Sequence, residues 1–151
     1  MTNKGLVSLN IISLALLICF MPGTIVHSFA EDIPVVIIGN RTLPFDTISK
    51  KDLVDIFKQK KTMWDNNEKL HISLLEGGET HKLFLWTYLR KTPIQYTLYW
   101  KKLVFTGKGS IPITFRAEKN LMKHVALTGG TIGYISDKIK PRRVKIIKII
   151  D

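Results

Sequence analysis

The residues most suggestive of chemistry form a short glycine-containing turn, EGGET at residues 76–80, between an apolar run and an apolar helix. Glycine lets the backbone approach a ligand closely, and the first turn of a helix leaves backbone N–H groups unpaired. The pattern therefore predicts an anion site, whose ligand-binding residues would be Gly77, Gly78, Glu79 and Thr80. The two glutamates oppose a negatively charged ligand, and a tight connection that binds nothing is the alternative interpretation.

Two further residues are predicted to complete this site. Asn40 follows the apolar run at residues 33–39, and Lys108 lies in the glycine-rich loop FTGKGS at residues 105–110. Ligands of parallel α/β sheets gather at the carboxyl ends of the strands. We therefore expect Asn40 and both glycine-containing segments at one edge of the sheet, with Lys108 neutralising the anion.

The residues that could support catalysis are scattered along the chain. His71, His81 and His124 fall on three separate predicted elements, without an i, i+4 pair, a cysteine or clustered carboxylates near them in sequence. No serine has nucleophile-elbow spacing, and the loop at residues 107–110 lacks the spacing of a nucleotide-binding loop. The sequence therefore predicts no enzyme activity, no catalytic residue, no metal site and no cofactor.

The first thirty residues have the pattern of a secretory signal peptide. Lys4 is their only Lys or Arg residue, a long apolar run follows it, and HSFA at residues 27–30 offers small residues to a signal peptidase. We expect cleavage after Ala30 and export of residues 31–151 as one domain, to the periplasm or outside the cell. A retained membrane anchor is the alternative. Cys19, the only cysteine, would leave with the signal, so no disulfide is expected.

The chain is strongly basic. Its 23 Lys and Arg residues against 12 Asp and Glu residues give a formal net charge of +11, and loss of Lys4 would leave +10. This charge favours anionic ligands or negatively charged surfaces, or it serves solubility alone. A run of six Lys and Arg residues between positions 138 and 148 predicts a patch facing membrane phosphates or an acidic partner. A solvated edge strand explains the same run, and export makes nucleic acid an unexpected partner.

Strands and helices are predicted to alternate. Runs rich in β-branched residues predict strands at residues 33–39, 70–75, 111–115, 131–135 and 144–150. Capping residues and helical periodicity predict helices at about 50–60, from 80 to 90, from 93 onward and around 121–126. Alternation of this kind implies an α/β fold with a mainly parallel central sheet and helices on both faces.

Apolar residues of the third helix predict that it is well buried. Ile94, Leu98 and Val104 lie along it, and aromatic residues surround them. The aromatic residues of the helices, Trp86 among them, are expected to pack in the core rather than to form a platform for a sugar.

In their order and spacing, these segments resemble the small phosphate ABC-transporter substrate-binding-like proteins, which have a type II periplasmic binding protein fold. Four segments carry the resemblance: VVIIGN at 35–40, SKKDLVDIFKQKK at 49–61 with Trp64 after it, EGGET at 76–80, and GGTIGYI at 129–135. The resemblance implies a single-lobe, periplasmic-binding-protein-like sandwich at residues 31–151.

The resemblance also implies which residues bind the ligand. In full-length phosphate-binding relatives, an aspartate-glycine-serine-glycine-threonine turn at a helix start binds the phosphate. Glu76, Gly77 and Thr80 match its acidic, first glycine and threonine positions. Gly78 stands in place of the serine and Glu79 in place of the second glycine, and the basic residue that the relatives place just upstream is missing.

The relatives close two lobes on the ligand, whereas this chain has room for one. A second copy of the chain or another protein would therefore supply the other wall of the cleft. The resemblance implies an exported module that binds phosphate or a similar oxyanion beside an ABC transporter or a sensor, with only peripheral contact with a membrane. The alternative is a non-enzymatic basic adaptor domain that keeps the fold but has lost the ligand site.

Overall fold

A computed structural model of the chain describes residues 35–151, so the predicted signal peptide and its cleavage site lie outside the described residues. The strands are β1 Val35–Gly39, β2 Thr47–Ser49, β3 His71–Leu75, β4 Ile113–Phe115, β5 Thr131–Ser136, β6 Lys145–Ile146 and β7 Lys148–Ile150. The α-helices are α1 Lys50–Phe57, α2 Glu79–Phe84, α3 Pro93–Phe105 and α4 Glu118–Leu127. A π-helical turn, Leu85–Leu89, extends α2 to Arg90, which adopts a left-handed conformation.

Five of the strands form one sheet in the order β4-β3-β5-β1-β6. Strands β4, β3 and β5 are parallel to one another. Strand β1 runs antiparallel to both of its neighbours, β5 and β6. The sheet is therefore mainly parallel, with β1 as its one antiparallel strand. The direction of β1 determines the position of Asn40, the residue that follows it.

Helices cover both faces of this sheet, and successive residues of β5 mark the two sides. A Cβ atom added to Gly133 would lie 2.8 Å from Leu121 Cδ2 of α4. The next side chain, Tyr134, stacks on Phe84 at a centroid distance of 3.8 Å. Since side chains alternate along a strand, α4 lies on one face and α2 on the other. The prediction of a mainly parallel α/β fold with helices on both faces is confirmed.

The first helix is held at both ends by specific hydrogen bonds. Ser49 Oγ caps its start by accepting from the backbone N–H of Asp52 at 3.0 Å. At its carboxyl end, the Tyr96 hydroxyl donates to the carbonyl of Phe57 at 2.7 Å. The Tyr99 hydroxyl donates to the carbonyl of Lys58 at 2.6 Å. Helix α3 therefore caps α1, which ends at Phe57, slightly before the predicted end.

The prediction that α3 is well buried is wrong. Tyr96 and Trp100 are buried, but Ile94, Leu98 and Phe105 are 73%, 59% and 92% exposed. One face of the helix packs on α1 and the core, and no described residue covers the opposite apolar face. Trp86, predicted to pack in the core, is also exposed.

The basic run at residues 138–148 forms an edge of the fold. Within it, β6 is an edge strand of the five-stranded sheet, and β7 pairs with β2 in a separate two-stranded sheet. Lys145 is engaged locally, because its ammonium group lies 3.0 Å from Asp46 Oδ1 and donates to the carbonyl of Leu43 at 2.7 Å. No helix within residues 35–151 is long and apolar enough to cross a membrane.

Candidate functional site

The turn at residues 76–80 lies where the sequence places it, between the carboxyl end of β3 and the start of α2. Gly78 is the residue before α2, and its φ of 89° lies in the left-handed region that side chains disfavour. Glycine therefore suits this position, where the resemblance inferred from the sequence leads one to expect serine. No side chain caps the first turn of α2.

The buried Thr80 side chain makes the most specific polar contact of this turn. Its hydroxyl donates a hydrogen bond of 2.7 Å to Glu118 Oε1. The other carboxylate oxygen of Glu118 accepts a hydrogen bond of 2.7 Å from the backbone N–H of Ser136. Two donors from different parts of the chain therefore converge on one carboxylate.

The position of Glu118 favours its negative charge. It is the first residue of α4, where the helix dipole stabilises an anion. Thr80 follows β3 closely and Ser136 ends β5, so both donors lie at the carboxyl end of the parallel strands. The carboxylate thus lies at the edge of the sheet where α/β folds bind ligands.

Other charged residues around the turn are paired and exposed. Arg116 Nε donates to Glu76 Oε2 at 3.0 Å. Lys82 Nζ lies 3.4 Å from Glu79 Oε2, within the first turn of α2. Three carboxylates, those of Glu76, Glu79 and Glu118, therefore lie in or beside the turn, and Glu118 is the least exposed of them.

Asn40 does not join this site, and the prediction that placed it there is wrong. Because β1 is antiparallel to β5, the end of β1 lies beside the start of β5, where Asn40 N–H donates to the carbonyl of Thr131 at 2.8 Å. The Asn40 side-chain amide donates to the carbonyls of Val125 and Ala126 at 2.7 and 3.2 Å. Asn40 therefore caps the carboxyl end of α4, one strand length, or about 15 Å, from the turn.

Lys108 also lies away from the turn, so the prediction that it neutralises an anion there is wrong. It lines a cleft together with His71, the first residue of β3, and Ile113, the first residue of β4. This cleft is at the amino ends of the strands, opposite the turn. Of the predicted ligand-binding residues, the structure brings together only those of residues 77–80.

A buried polar pair, His81 and Tyr134, lies next to the turn. His81 Nδ1 lies 2.5 Å from the Tyr134 hydroxyl, which accepts a hydrogen bond of 3.3 Å from the backbone N–H of Leu75. Burial lowers the pKa of His81 to about 4, so the ring is neutral at neutral pH. Burial raises the pKa of Tyr134, whose hydroxyl therefore stays protonated. The two neutral groups share a hydrogen bond, and the pair ties α2 to the last residue of β3.

The other two histidines of the described chain lie elsewhere. His124 Nδ1 is 3.0 Å from the hydroxyl of Ser73, which is fully buried within β3. Burial, with a smaller effect of His71, lowers the pKa of His124. Residues 35–151 contain no group of three or more His, Cys, Asp or Glu side chains placed to hold a metal ion.

Sequence reasoning missed Glu118 and Ser136. Glu118 is separated from Thr80 by 38 positions. Ser136 is the last residue of a strand, TIGYIS, whose sequence does not suggest a binding site. The available signal was the position of both residues at the ends of elements that neighbour the turn in a parallel sheet. Their convergence depends on the strand order, which local patterns do not specify.

Several solved structures similar to this chain are phosphate-binding or phosphate-transport proteins. An ABC-type phosphate transport receptor from Vibrio cholerae aligns with a TM-score of 0.52 and 15% identity, covering 76% of this chain and 45% of the receptor. A phosphate-binding protein from Stenotrophomonas maltophilia aligns with a TM-score of 0.59 and 14% identity, covering 76% of this chain and 38% of that protein. PstS from Borrelia burgdorferi gives a TM-score of 0.52 and 14% identity, with coverage of 76% and 46%.

These similarities concern the fold. The chain spans less than half the length of each of these proteins. No protein-family model matches the chain, and no curated protein sequence is significantly similar to it. The resemblance inferred from the four sequence segments is confirmed at the level of structure: residues 35–151 have the α/β fold found in phosphate ABC transporter substrate-binding proteins.

Proposed function

We propose that this chain is an exported, non-enzymatic module that binds phosphate or a similar oxyanion at the turn of residues 76–80, beside a transporter or sensor. The observation that carries the proposal is the convergence of the Thr80 hydroxyl and the Ser136 N–H on the Glu118 carboxylate, each at 2.7 Å. Two directed donors at the carboxyl ends of parallel strands are suited to an oxyanion. The chain's own carboxylate occupies them, so phosphate would bind by exchange with Glu118.

The electrostatics of the turn set the expected affinity. A carboxylate about 4 Å from a second anion costs about 1 kcal/mol at the dielectric constant of bulk water and about 4 kcal/mol at that of a protein surface. Glu118 and Glu79 therefore weaken the binding of phosphate, while the basic charge of the chain as a whole favours it. We expect weak binding by the wild-type protein, limited chiefly by Glu118.

Calorimetric titration of the purified protein with phosphate and sulfate at low salt tests this proposal. Glu118→Gln removes the competing charge and should strengthen phosphate binding by about tenfold or more. Adding Thr80→Val should cancel that gain, whereas adding Thr80→Ser should retain it. Asp151→Asn removes one negative charge at the chain end and serves as the control. Absence of saturable binding by folded wild-type and Glu118→Gln proteins would contradict the proposal.

A second candidate is the adaptor domain, and the exposed apolar face of α3 favours it. Ile94, Leu98 and Phe105 lie on this face, beside an apolar groove of about 520 Å³ between α3 and the segment that leads into β4. In an adaptor, Leu98→Asp would reduce recovery of a transporter or sensor subunit with the protein from the cell envelope. The same variant would leave phosphate titrations unchanged, so the two candidates are separable.

A further inference from the structure

A second cleft lies at the amino ends of β3 and β4, opposite the turn of residues 76–80. It has a volume of about 420 Å³ and lies between the segment that precedes β3 and the loop at residues 107–110. This volume is within the range of about 300 to 1,000 Å³ typical of small-molecule sites. The cleft can therefore hold more than a bare inorganic ion.

The lining of this cleft carries one sign of charge. Lys61, Lys69 and Lys108 line it together with His71, and no Asp or Glu is among its lining residues. Lys61 pairs with Asp65 at 2.9 Å, but Lys69 and Lys108 have no ion-pair partner within residues 35–151. Like charges gathered in a cleft repel one another and focus a positive potential on it. An anionic ligand relieves that repulsion.

One polar atom in the walls also lacks a partner. Among the described residues that line the cleft, Gln59 Oε1 is buried and makes no hydrogen bond. A buried polar atom without a partner is unfavourable. A ligand that carries a hydroxyl group could donate a hydrogen bond to this carbonyl oxygen.

The loop at residues 107–110 packs against this wall. Gly109 approaches Gln59 so closely that an added Cβ would collide with Gln59 Oε1 and lie 3.2 Å from Leu103 Cβ. Gln59 itself has a φ of 53°, a left-handed conformation that is unfavourable for a residue with a side chain. Gly109 therefore brings the loop that carries Lys108 into close contact with Gln59, another residue of the cleft lining.

We propose that this cleft binds a phosphate ester, with the phosphate between Lys69 and Lys108 and the organic part against Trp100. The site is separate from the oxyanion site proposed at Thr80, since the two lie at opposite ends of β3. A soluble phosphate monoester and the headgroup of an anionic phospholipid share this chemistry. The probes are therefore adenosine monophosphate, inorganic phosphate and vesicles of phosphatidylglycerol.

Titrations that follow tryptophan fluorescence and heat at low salt test the proposal. The double variant Lys69→Gln/Lys108→Gln should weaken binding of the ester by about tenfold or more, because charge-assisted hydrogen bonds are lost. Lys119→Gln/Lys123→Gln, which removes the same charge from exposed positions of α4, should change affinity less than about twofold. Trp100→Phe should remove most of the fluorescence response while the heat of binding persists. Thermal unfolding of each variant verifies that it is folded.

The outcomes distinguish this cleft from the turn. Thr80→Val should weaken the binding of inorganic phosphate more than that of adenosine monophosphate, whereas Lys69→Gln/Lys108→Gln should do the reverse. Binding to vesicles but not to adenosine monophosphate, lost in the Lys69→Gln/Lys108→Gln variant, would support the cleft and identify the lipid source. Equal weakening by the two double-lysine variants would mean diffuse attraction and overturn the proposal. So would equal affinity for inorganic phosphate and the ester, or no saturable binding of either ester probe.

Discussion

The side-chain amide of Asn40 donates a hydrogen bond of 2.7 Å to the carbonyl oxygen of Val125, which lies 85 positions away in the chain. The bond is buried, and the same amide also reaches the carbonyl of Ala126. Asn40 Oδ1 accepts from the N–H of Thr42 at 2.9 Å. One side chain therefore joins the end of β1, the turn after it and the last turn of α4.

Asn40→Ala should destabilise the fold without affecting anion binding. Removing the amide leaves buried carbonyl groups of α4 without their donor, which should lower the free energy of unfolding by about 2 kcal/mol. Urea denaturation measures the loss, and Asn66→Ala at an exposed turn is the control, with little expected change. A variant of unchanged stability but weakened phosphate binding would show that Asn40 belongs to a ligand site after all.

Stability should depend on pH through His81. Its pKa is about 4 in the folded protein and about 6.5 in the unfolded chain, because burial disfavours the charged ring. The unfolded state therefore binds the proton first as the pH falls. Neutral His81 therefore contributes about 3 kcal/mol to the free energy of unfolding. This contribution is fully present above about pH 6.5 and is lost as the pH falls towards 4.

Urea denaturation between about pH 7 and about pH 4 on wild type and His81→Gln tests this prediction. The variant should lose less stability over this interval, by up to about 3 kcal/mol. His124, whose pKa is also lowered, contributes to both proteins and cancels in the comparison. Parallel stability curves for the two proteins would contradict the assignment of this pH dependence to His81.

Local sequence signals predicted most of the elements, because those signals are themselves local; β2 was not predicted, and the single strand predicted at residues 144–150 is two strands, β6 and β7, in different sheets. Ser49 caps α1, and Thr92 forms a reciprocal capping box with Gln95 at the start of α3. Local signals do not specify strand direction, because an apolar run such as β1 has the same residues whether its neighbours are parallel or antiparallel. Because β1 is antiparallel to β5, Asn40 lies at the edge of the sheet opposite the turn of residues 76–80.

The candidate site was predictable only in part for a related reason. The glycines and Thr80 are contiguous, so the turn was visible in the sequence. The Glu118 carboxylate reaches Thr80 only because the loop after β4 and the start of α4 lie beside the end of β3. The exposure of α3 likewise depends on how it packs against the sheet and α1. Both faces of the helix are apolar, so the sequence does not indicate which of them is buried.

The two tyrosines that cap α1 should differ in importance. Tyr96→Phe leaves the Phe57 carbonyl without its donor in the buried core, which should cost about 1 to 2 kcal/mol in free energy of unfolding. Tyr99→Phe should cost less, because the Lys58 carbonyl lies in a partly exposed region where water can replace the hydroxyl. Chemical denaturation of the two single variants checks this order, and a larger loss in Tyr99→Phe would contradict it.

Two glycines offer a matched test of where the fold tolerates a methyl group. At Gly133 an added Cβ would lie 2.8 Å from Leu121 Cδ2 and 3.2 Å from the carbonyl oxygen of Ser73, whereas Gly77 has open space around it. Backbone atoms of β3 cannot yield easily, so Gly133→Ala should lower the free energy of unfolding by about 1 to 3 kcal/mol. Gly77→Ala should change it by less than about 0.5 kcal/mol. Thermal and urea unfolding of both variants measure the contrast, and equal stability of the two would mean that α4 packs on β5 less closely than these distances require.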